Sequence, residues 1–517
     1  MADRKVILIL SGEICTGKTT LLTTLCEQFE FKIFKTREEL ERLSKARDKG
    51  RSTLQEYGDK LDRTTSGSWV LKGFNSQYAK DFDKNKFYAV DSVRIQEQIE
   101  CFRKAYSYAV YHVHLRASPE TLRQRFKQRG EVPIDKIEEV YKAVKANQTE
   151  NRVVELEKEA DLVIDTDRCT TEDVYTRICS FLKLFPPTHT PLVDVIVGGQ
   201  FGSEGKGQIT AFLSPEYDCL LRVGGPNAGH SVFEFPQHDV FHLLPSGTRR
   251  NPKAKLMLGP GTVINIDRLL HEINNFNVDV GRLIVDENAI IITEADINYE
   301  KELQKNISST AQGVGAATAN NILARLRGED KHKAKNYFKQ LKPYLGSVTS
   351  ELEKMYRDGK KVLLEGTQGT ALSLHHGIYP YVTSRDTSAS GCLSEAGISP
   401  MRVRKIIMVT RTYPIRVGGT SGDFISNELD WDEVAIRSGK NSDELKKKEI
   451  TTTTKKDRRV AEFSWELFRK ACELNSPTDI ALTFVDYIAK DNEKARRYDQ
   501  LTIETRQMIE EIERCSG

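Results

Sequence analysis

Two glycine-rich segments carry the residue types that grip phosphate, and they differ in kind. Gly12-Glu13-Ile14-Cys15-Thr16-Gly17-Lys18-Thr19 follows the apolar run Val6 to Leu10. Gly198-Gly199-Gln200-Phe201-Gly202-Ser203-Glu204-Gly205-Lys206-Gly207 follows a second apolar run, Val193 to Val197. A strand that feeds a glycine loop and then a helix aims free backbone N–H groups at an anion, and a lysine adds a point charge. The first loop satisfies G-x-x-x-x-G-K-T in full through Gly12, Gly17, Lys18 and Thr19. Its glycines admit phosphate to the backbone, Lys18 reaches the β- and γ-phosphates, and the Thr19 hydroxyl is the Mg²⁺ ligand. The second loop has one residue too many between Gly199 and Gly205, and Gly207 stands where Ser or Thr would follow the lysine. Two such loops a domain's length apart imply two nucleotide-handling modules.

The elements that must position these loops follow from the hydrophobic pattern. Apolar runs alternate with amphipathic stretches through both halves, the mark of an α/β protein. In the first half the strands are expected at Val6–Leu10, Phe87–Val90, Val110–Leu115 and Leu162–Ile164, with helices over Thr19–Gln28, Pro119–Gln128 and Ile134–Ala146. Phe185-Pro186-Pro187-Thr188-His189-Thr190-Pro191 breaks helix and reads as the boundary. The expected domains are therefore 1–185 and 192–517, joined by a linker at 186–191. In the second half the strands are expected at Val193–Val197, Lys255–Leu258, Leu283–Val285, Lys361–Leu364, Ile406–Val409 and Ile480–Thr483.

A chain of 517 residues exceeds one core. Its net charge of +3, from 77 basic and 74 acidic residues, gives no field that would gather nucleic acid. Nine cysteines without a CxxC pair read as reduced thiols rather than a disulfide frame or zinc site. Met1-Ala2-Asp3-Arg4-Lys5 leads into five apolar residues, too few for a signal peptide or membrane span. The expectation is a cytoplasmic protein without membrane or nucleic-acid partners.

Behind the strand Phe87–Val90 stand Asp91 and Arg94, where small-molecule kinases keep a carboxylate for Mg²⁺ or the acceptor. Arg123, Arg125 and Arg129 ride a helix at spacings that can close over phosphates, or simply form a solvated basic face. Residues Met1 to Phe185 resemble the nucleoside monophosphate kinase and dephospho-coenzyme A kinase group of P-loop proteins. The resemblance is specific at the loop and implies a three-layer P-loop kinase-like α/β domain.

The second half resembles the adenylosuccinate synthetase family through seven motifs in order. These are Gly199–Gly207; Gly225-Pro226-Asn227-Ala228-Gly229-His230; Phe241–Gly247; Ser309-Thr310 with Gly313–Gly315; Glu365–Gly369 with Tyr379–Ser384; Arg416–Gly418; and Thr453–Arg459. The resemblance runs from Val193 to about Tyr487 and implies an α/β domain with a central, mostly parallel sheet. It also implies a reaction: a γ-phosphoryl group moves onto O6 of a purine nucleotide, and the amine of L-aspartate then displaces phosphate at C6.

The same resemblance distributes the roles. His230 is the general acid at O6, with Ser203 and Gln368 beside it. Asn227, Ser309, Thr310, Gln368 and Thr383 hold the purine nucleotide, and Arg325 reaches the phosphate of a neighbouring subunit in a homodimer. Thr453, Thr454, Lys456, Arg458 and Arg416 hold aspartate. Gly202, Glu204, Gly205, Lys206 and Gly207 hold the donor triphosphate, Phe484 and Asp486 face its base, and Gly229 joins the Mg²⁺ shell.

Three departures bear on the substrates. Position 203 is serine where the family keeps an aspartate that takes the purine N1 proton and binds Mg²⁺; a hydroxyl is a poor base and a weak ligand. A shorter, uncharged residue makes room for a 2-amino group, as in dGMP or GMP, and a bacteriophage branch of the family acting on dGMP shares this serine. Phe484-Val485-Asp486 replaces the Lys-x-Asp pair that reads guanine, so ATP or dATP is the expected donor and GTP the weaker candidate. The chain also ends at Gly517, sooner than most family members, as the phage branch does. The alternatives left open are an ordinary IMP-dependent enzyme and a nucleotide kinase or sensor with a regulatory second half.

Overall fold

The structure is a computed structural model. It describes residues 5–44, 51–78, 80, 82, 84–129, 139–141, 148–185, 188–234, 236–303, 310–451 and 456–517. The chain divides into two units, Met1–Pro186 and Pro187–Gly517.

In the first unit, β1 (Val6–Ser11), β2 (Lys32–Lys35), β3 (Phe87–Asp91), β4 (Val110–Arg116) and β5 (Leu162–Asp165) form one sheet in the order β2-β3-β1-β4-β5. All four pairings are parallel. Every residue of β1 is buried, which marks it as the central strand. Its side chains alternate between two faces. Val6, Leu8 and Leu10 pack with Leu21, Leu22 and Leu25 of α1 (Lys18–Phe29) and with Ile178. Ile7 and Ile9 pack with Trp69, Phe74, Ile99 and Phe102 on the other side. Helices therefore cover both faces, giving the expected three layers. The opposite layer is built from α2 (Thr36–Ser44), α3 (Arg51–Thr65), α4 (Ser68–Tyr78) and α5 (Gln96–Tyr106). The helix α6 spans Pro119–Gln128, as its sequence pattern predicts; Ser118 caps it by accepting from the Thr121 amide. Most of the expected helix 134–146 lies outside the described residues.

The second unit is built on an eight-stranded sheet whose neighbouring strands all pair in parallel. In chain order its strands are β6 (Val193–Gly198), β7 (Cys219–Arg222), β8 (His230–Glu234), β9 (Gln237–Phe241), β10 (Lys255–Leu258), β11 (Val263–Ile264) and β12 (Leu283–Asp286). These are followed by β13 (Ile290–Ile291), β14 (Leu345–Gly346), β15 (Val362–Glu365), β16 (Val403–Arg411), β17 (Ile415–Val417), β18 (Glu428–Leu429), β19 (Arg458–Ala461) and β20 (Asp479–Thr483). The large sheet runs β14-β12-β10-β7-β15-β6-β16-β20. Val193, Val195 and Val197 pack on one face while Ile196 packs on the other, so this sheet too is buried on both sides. An antiparallel hairpin, β8–β9, and the small antiparallel sheet β17-β19-β18 carry residues to its carboxyl edge.

Several strands escape the hydrophobic pattern. Lys32–Lys35 alternates charged ends with two apolar residues, and Cys219–Arg222 is four residues long and closes on an arginine. All nine cysteines are free thiols. Among the described residues no helix is long and apolar enough to cross a membrane.

Directly before the first loop, β1 ends in a buried polar knot. Ser11 Oγ lies 2.7 Å from His112 Nε2 and 2.8 Å from His114 Nδ1. His112 Nδ1 is 3.2 Å from the Glu159 carbonyl, so it carries the proton; Ser11 then donates to Nε2 and accepts from His114. Burial holds both imidazoles down at about 4, well below the ordinary 6.5. The unfolded chain therefore binds more protons between those values, and stability contributed here is full above pH 6.5 and lost as pH falls toward 4. Exchange protection of β1 amides, corrected for intrinsic rates, is expected to drop by a few kcal/mol over that window, and to drop less in His114→Gln. Protection that stays flat across the window contradicts neutral burial of the pair.

Candidate active site

In the first unit the loop after β1 delivers Gly17 in a left-handed conformation, and Lys18 opens α1, so the first-turn amides face outward as an anion cradle. Lys18 Nζ folds back onto its own loop, donating to the carbonyls of Gly12 at 2.6 Å and Glu13 at 2.7 Å. The cradle opens into a cavity of about 520 Å³ lined by Lys18, Thr19, Arg94, Arg125 and Arg129, among others. Arg125 is fixed there by the Thr166 side chain at 2.9 Å and the Thr166 carbonyl at 3.0 Å. Arg123 is not among the lining residues. Asp91 ends β3, where burial pushes its carboxyl pKa up against the pull of Lys18. The Thr19 hydroxyl is exposed and bonded to no described residue, which suits a Mg²⁺ ion arriving with a triphosphate.

In the second unit four segments converge on the loop after β6. Gly207 packs so closely under His230 that a Cβ there would lie 2.8 Å from the histidine Cβ. Gly205, at φ +95°, faces Thr483 and Phe484, which a Cβ there would approach to 3.5 and 3.7 Å. The Ala371 amide donates to the Gln200 carbonyl at 3.0 Å, stitching the Gln368 segment to the loop. Arg458 NH2 donates to Ser203 Oγ at 3.3 Å, bringing in β19. The loop is thus the meeting point of His230, Gln368, Phe484 and Arg458.

Below His230 lies a buried ion cluster that draws on three of the motifs and on Arg222, which belongs to none. Glu365, at the end of β15, accepts from the Ser246 amide at 2.8 Å and lies 2.5 Å from both Ser246 Oγ and His230 Nδ1. Arg222, at the end of β7, stands 3.6 Å away and is itself held by the carbonyls of Ala228, Phe241 and Leu244. The surrounding cations and donors hold the Glu365 carboxyl ionised despite its burial. An ionised, donor-saturated carboxylate makes Nδ1 the protonated nitrogen of His230 and leaves Nε2 without a partner among the described residues. Burial, then Arg222, lowers the His230 imidazole to about 4, so the ring is neutral here.

Several expected contacts take a different form. Lys206 is paired with Glu204 at 2.5 Å, both side chains being buried, and Glu204 also accepts from the amides of Gln200 and Gly202. The lysine charge is therefore neutralised internally, which leaves the amides opening the helix Lys206–Leu213 as the phosphate grip. The amides of Gly313, Gly315 and Ala316 are taken by the buried Glu300 carboxylate at 2.6 to 3.2 Å, while the Thr310 hydroxyl is engaged by no described residue. Arg416 binds the carbonyls of Ser421 and Asp423 and lies over the Phe201 ring; burial lowers its pKa to about 10. It braces a turn rather than standing open to a ligand.

Lys456 bonds through its backbone to Thr451, while its side chain is exposed. Asn227 Nδ2 reaches Thr383 Oγ1 at 3.5 Å, and its buried Oδ1 has no partner among the described residues. Arg458 pairs with Glu449 at 3.0 Å, and its buried Nε is likewise unsatisfied. Orphaned buried atoms of this kind are where a ligand completes the bonding. Asp486 is ion-paired to Lys440 at 2.8 Å, and the half-buried Phe484 ring sits 3.9 Å from the Arg411 guanidinium. Arg325 is exposed at the end of the helix Val314–Ala324. Ser309, Thr453 and Thr454 lie outside the described residues.

Among the described residues no three His, Cys, Asp or Glu side chains assemble to hold a metal. Ser203 Oγ faces a guanidinium and Glu204 is saturated, so neither fits Mg²⁺ as placed. Gly229, directly before β8, keeps its backbone carbonyl as the remaining candidate ligand.

Parallel sheets with strand-end glycine loops, anion cradles and a buried histidine held by a carboxylate fit a nucleotide-dependent α/β enzyme. The adenylosuccinate synthetase family model matches residues 195–326 and 326–496, and the chain belongs to that family of carbon–nitrogen ligases. It is 38% identical over 332 residues to the adenylosuccinate synthetase of Methanococcus aeolicus, spanning 62% of this chain and 93% of that one. It is 36% identical to that of Pyrococcus horikoshii, over 62% and 92%. Among solved structures, the fully ligated Plasmodium falciparum adenylosuccinate synthetase has a similar fold, with a TM-score of 0.54 at 24% identity over 63% of this chain and 95% of that one. A succinoaminodeoxyadenylate synthetase of cyanophage S-2L, bound to dGMP and to dATP as an energy donor, gives 0.52 at 26% identity, over 63% and 90%.

His230→Ala tests the role that the resemblance implies: a loss of ligation on the order of a hundredfold or more, with nucleotide binding kept, is expected of a ring that meets charge developing at the oxygen. Steady-state turnover and equilibrium binding, measured on one preparation, check this. Near-normal turnover would remove His230 from the chemistry.

Proposed function

We propose that the second unit condenses L-aspartate with C6 of a guanine-type nucleotide, dGMP or GMP, giving a 2-amino-N6-succinyladenine nucleotide. The observation that carries the reading is the contact between Ser203 and Arg458. Where the family places a carboxylate, this loop presents a hydroxyl already occupied by a guanidinium. A serine there is short enough to admit a 2-amino group, and the cyanophage enzyme with dGMP in its site supports this choice.

In the reaction O6 attacks the γ-phosphorus as the purine N1 proton passes to water, and the donor diphosphate leaves. The aspartate amine then adds to C6, and phosphate departs with the former O6. His230 takes up a proton on Nε2 as negative charge enters the site, with Glu365 fixing its tautomer through Nδ1. Arg458, with its unsatisfied Nε, suits a carboxylate of aspartate. Asn227, Thr383, Thr310 and Gln368 suit the purine nucleotide. For the donor, Asp486 is already paired with Lys440 and a phenyl ring stands where the family has lysine, which favours ATP or dATP over GTP. The exposed Leu323 and Leu326 beside Arg325 support a homodimer, which sedimentation tests: a monomer ligating at full rate contradicts it.

Phosphate release that requires both aspartate and a purine monophosphate distinguishes this reading from a sensor or a plain kinase. A screen of dGMP, GMP and IMP against ATP, dATP and GTP tests the substrates. Ser203→Asp should crowd the 2-amino group and pair with Arg458, so activity with dGMP or GMP falls and activity with IMP rises, a discrimination of about a few kcal/mol. A wild type that prefers IMP and ignores both guanine nucleotides contradicts the proposal and leaves an ordinary adenylosuccinate synthetase.

The first unit is, in the same reading, a P-loop phosphotransferase acting independently of the second, with 186–191 as the linker. Lys18→Ala is expected to abolish phosphoryl transfer by this unit and to leave aspartate ligation unchanged. Loss of both activities together would make the two units one machine.

A further inference from the structure

Gln368 stands at the end of a buried hydrogen-bond relay that the reaction described above leaves unused. Its backbone is left-handed, at φ 57°, and lies against the phosphate loop: a Cβ at Gly198 would come within 2.6 Å of the Gln368 carbonyl. A residue other than glycine keeps that conformation only where its surroundings over-determine it. The neighbouring Thr367 is buried, with Arg385 Nη1 2.9 Å from its Oγ1 and Gln368 Oε1 2.7 Å away on the other side. Arg385 is buried as well, anchored through Nε to Glu395 at 2.7 Å and through Nη2 to Cys392 Sγ at 3.6 Å.

Counting protons gives this relay a direction. A guanidinium only donates, so Thr367 Oγ1 accepts from Arg385 and must give its own proton to something else. Among the described residues the Gln368 side chain is the one other partner of that hydroxyl. The carboxamide oxygen therefore faces Thr367. The opposite flip would set an N–H against the hydroxyl and leave a buried O–H without an acceptor, which is costly. Gln368 Nε2 is thus turned away from Thr367, and no described residue accepts from it.

We propose that Thr367 and Arg385 are positioning residues that hold the Gln368 carboxamide with its N–H toward the substrate, so that the second unit takes a 6-oxopurine nucleotide and rejects the 6-aminopurine counterpart. The inference rests on the ligase reading above, with Gln368 at position 6 of the purine. An oxygen at C6 accepts from Nε2, before and after it carries the phosphoryl group. An amino group there sets donor against donor and leaves both unpaired, the kind of mismatch that separates substrates most sharply. The product meets the same polarity. Once nitrogen has replaced oxygen, position 6 carries an N–H and loses this contact, which favours release.

The test reads aspartate-dependent phosphate release by the full chain, a signal that belongs to the second unit. Whichever of dGMP and IMP turns over is the substrate. For dGMP the competing inhibitors are the 2,6-diaminopurine and 2-aminopurine deoxynucleotides; for IMP they are AMP and the unsubstituted purine ribonucleotide. Each pair offers an amino group or a hydrogen at position 6, and both members lack the N1 proton, so their comparison isolates that position. In the wild type the 6-amino compound is expected to inhibit about tenfold more weakly than the 6-hydrogen compound. Thr367→Val keeps the shape and the backbone carbonyl that Arg385 also reaches at 3.4 Å, but frees the carboxamide to turn. In this variant the Ki of the 6-amino compound is expected to fall about tenfold while that of the 6-hydrogen compound stays within about twofold, and Thr367→Ser is expected to keep the wild-type order. Damage to the fold weakens every ligand alike and cannot tighten one of them. Equal inhibition by the two compounds in the wild type overturns the inference whether or not the variant folds, and so does a Thr367→Val enzyme with the wild-type ratio. A wild type that releases no phosphate with aspartate and either substrate overturns the ligase reading itself, and the inference with it.

Discussion

The second unit depends on one buried carboxylate. Glu365 ends the central strand β15, fully enclosed, with Arg222 from the adjacent β7, the Ser246 amide and hydroxyl, and His230 around it. An ion at that depth is tolerated because both its oxygens accept hydrogen bonds and a guanidinium stands beside it. Removing any partner leaves charge uncompensated, so the cluster fixes the ends of two strands, the turn at Ser246 and the first residue of the β8–β9 hairpin together. The hairpin presses His230 against Gly207, and the glycine loop takes its place relative to the histidine from that contact. His230 and the glycine loop are thus positioned by the same carboxylate.

Internal glutamates also occupy two of the expected anion cradles. Glu204 satisfies loop amides and Lys206, and Glu300 satisfies the first turn of the helix Val314–Ala324. Each supplies the negative charge that a helix start or a lysine demands. The groups left for substrate are then the amides after Gly205, the hydroxyls of Thr310 and Thr383, and the unsatisfied atoms of Asn227 and Arg458. This set is more neutral than a roll of basic residues suggests, in keeping with recognition by shape and hydrogen bonds as well as charge.

Strongly patterned elements were legible in the sequence. The parallel α/β class, the helix Pro119–Gln128 and the strand Lys255–Leu258 follow from apolar runs, a capping serine and glycine punctuation. Short or mixed strands such as Lys32–Lys35 and Cys219–Arg222 were not, because only tertiary pairing makes them strands. At the site, the motifs were visible as motifs, but their internal partnerships were not. Glu365 lies 135 residues from His230, and Lys440 sits well outside the Phe484–Asp486 segment whose charge it neutralises. No local pattern encodes such contacts. The bonds from Trp69 and Gln98 to Asp62 were hidden for the same reason, since the three residues come from three helices.

The central claim is chemical: the oxygen at C6 leaves as part of phosphate, after His230 has met the charge developing on it. Turnover of dGMP labelled with ¹⁸O at C6, with ATP or dATP and aspartate, tests this directly by mass analysis of the released phosphate. The account predicts one ¹⁸O atom in each phosphate formed and none left in the purine. Phosphate free of the label, with ¹⁸O retained at C6 or lost to water, would contradict it.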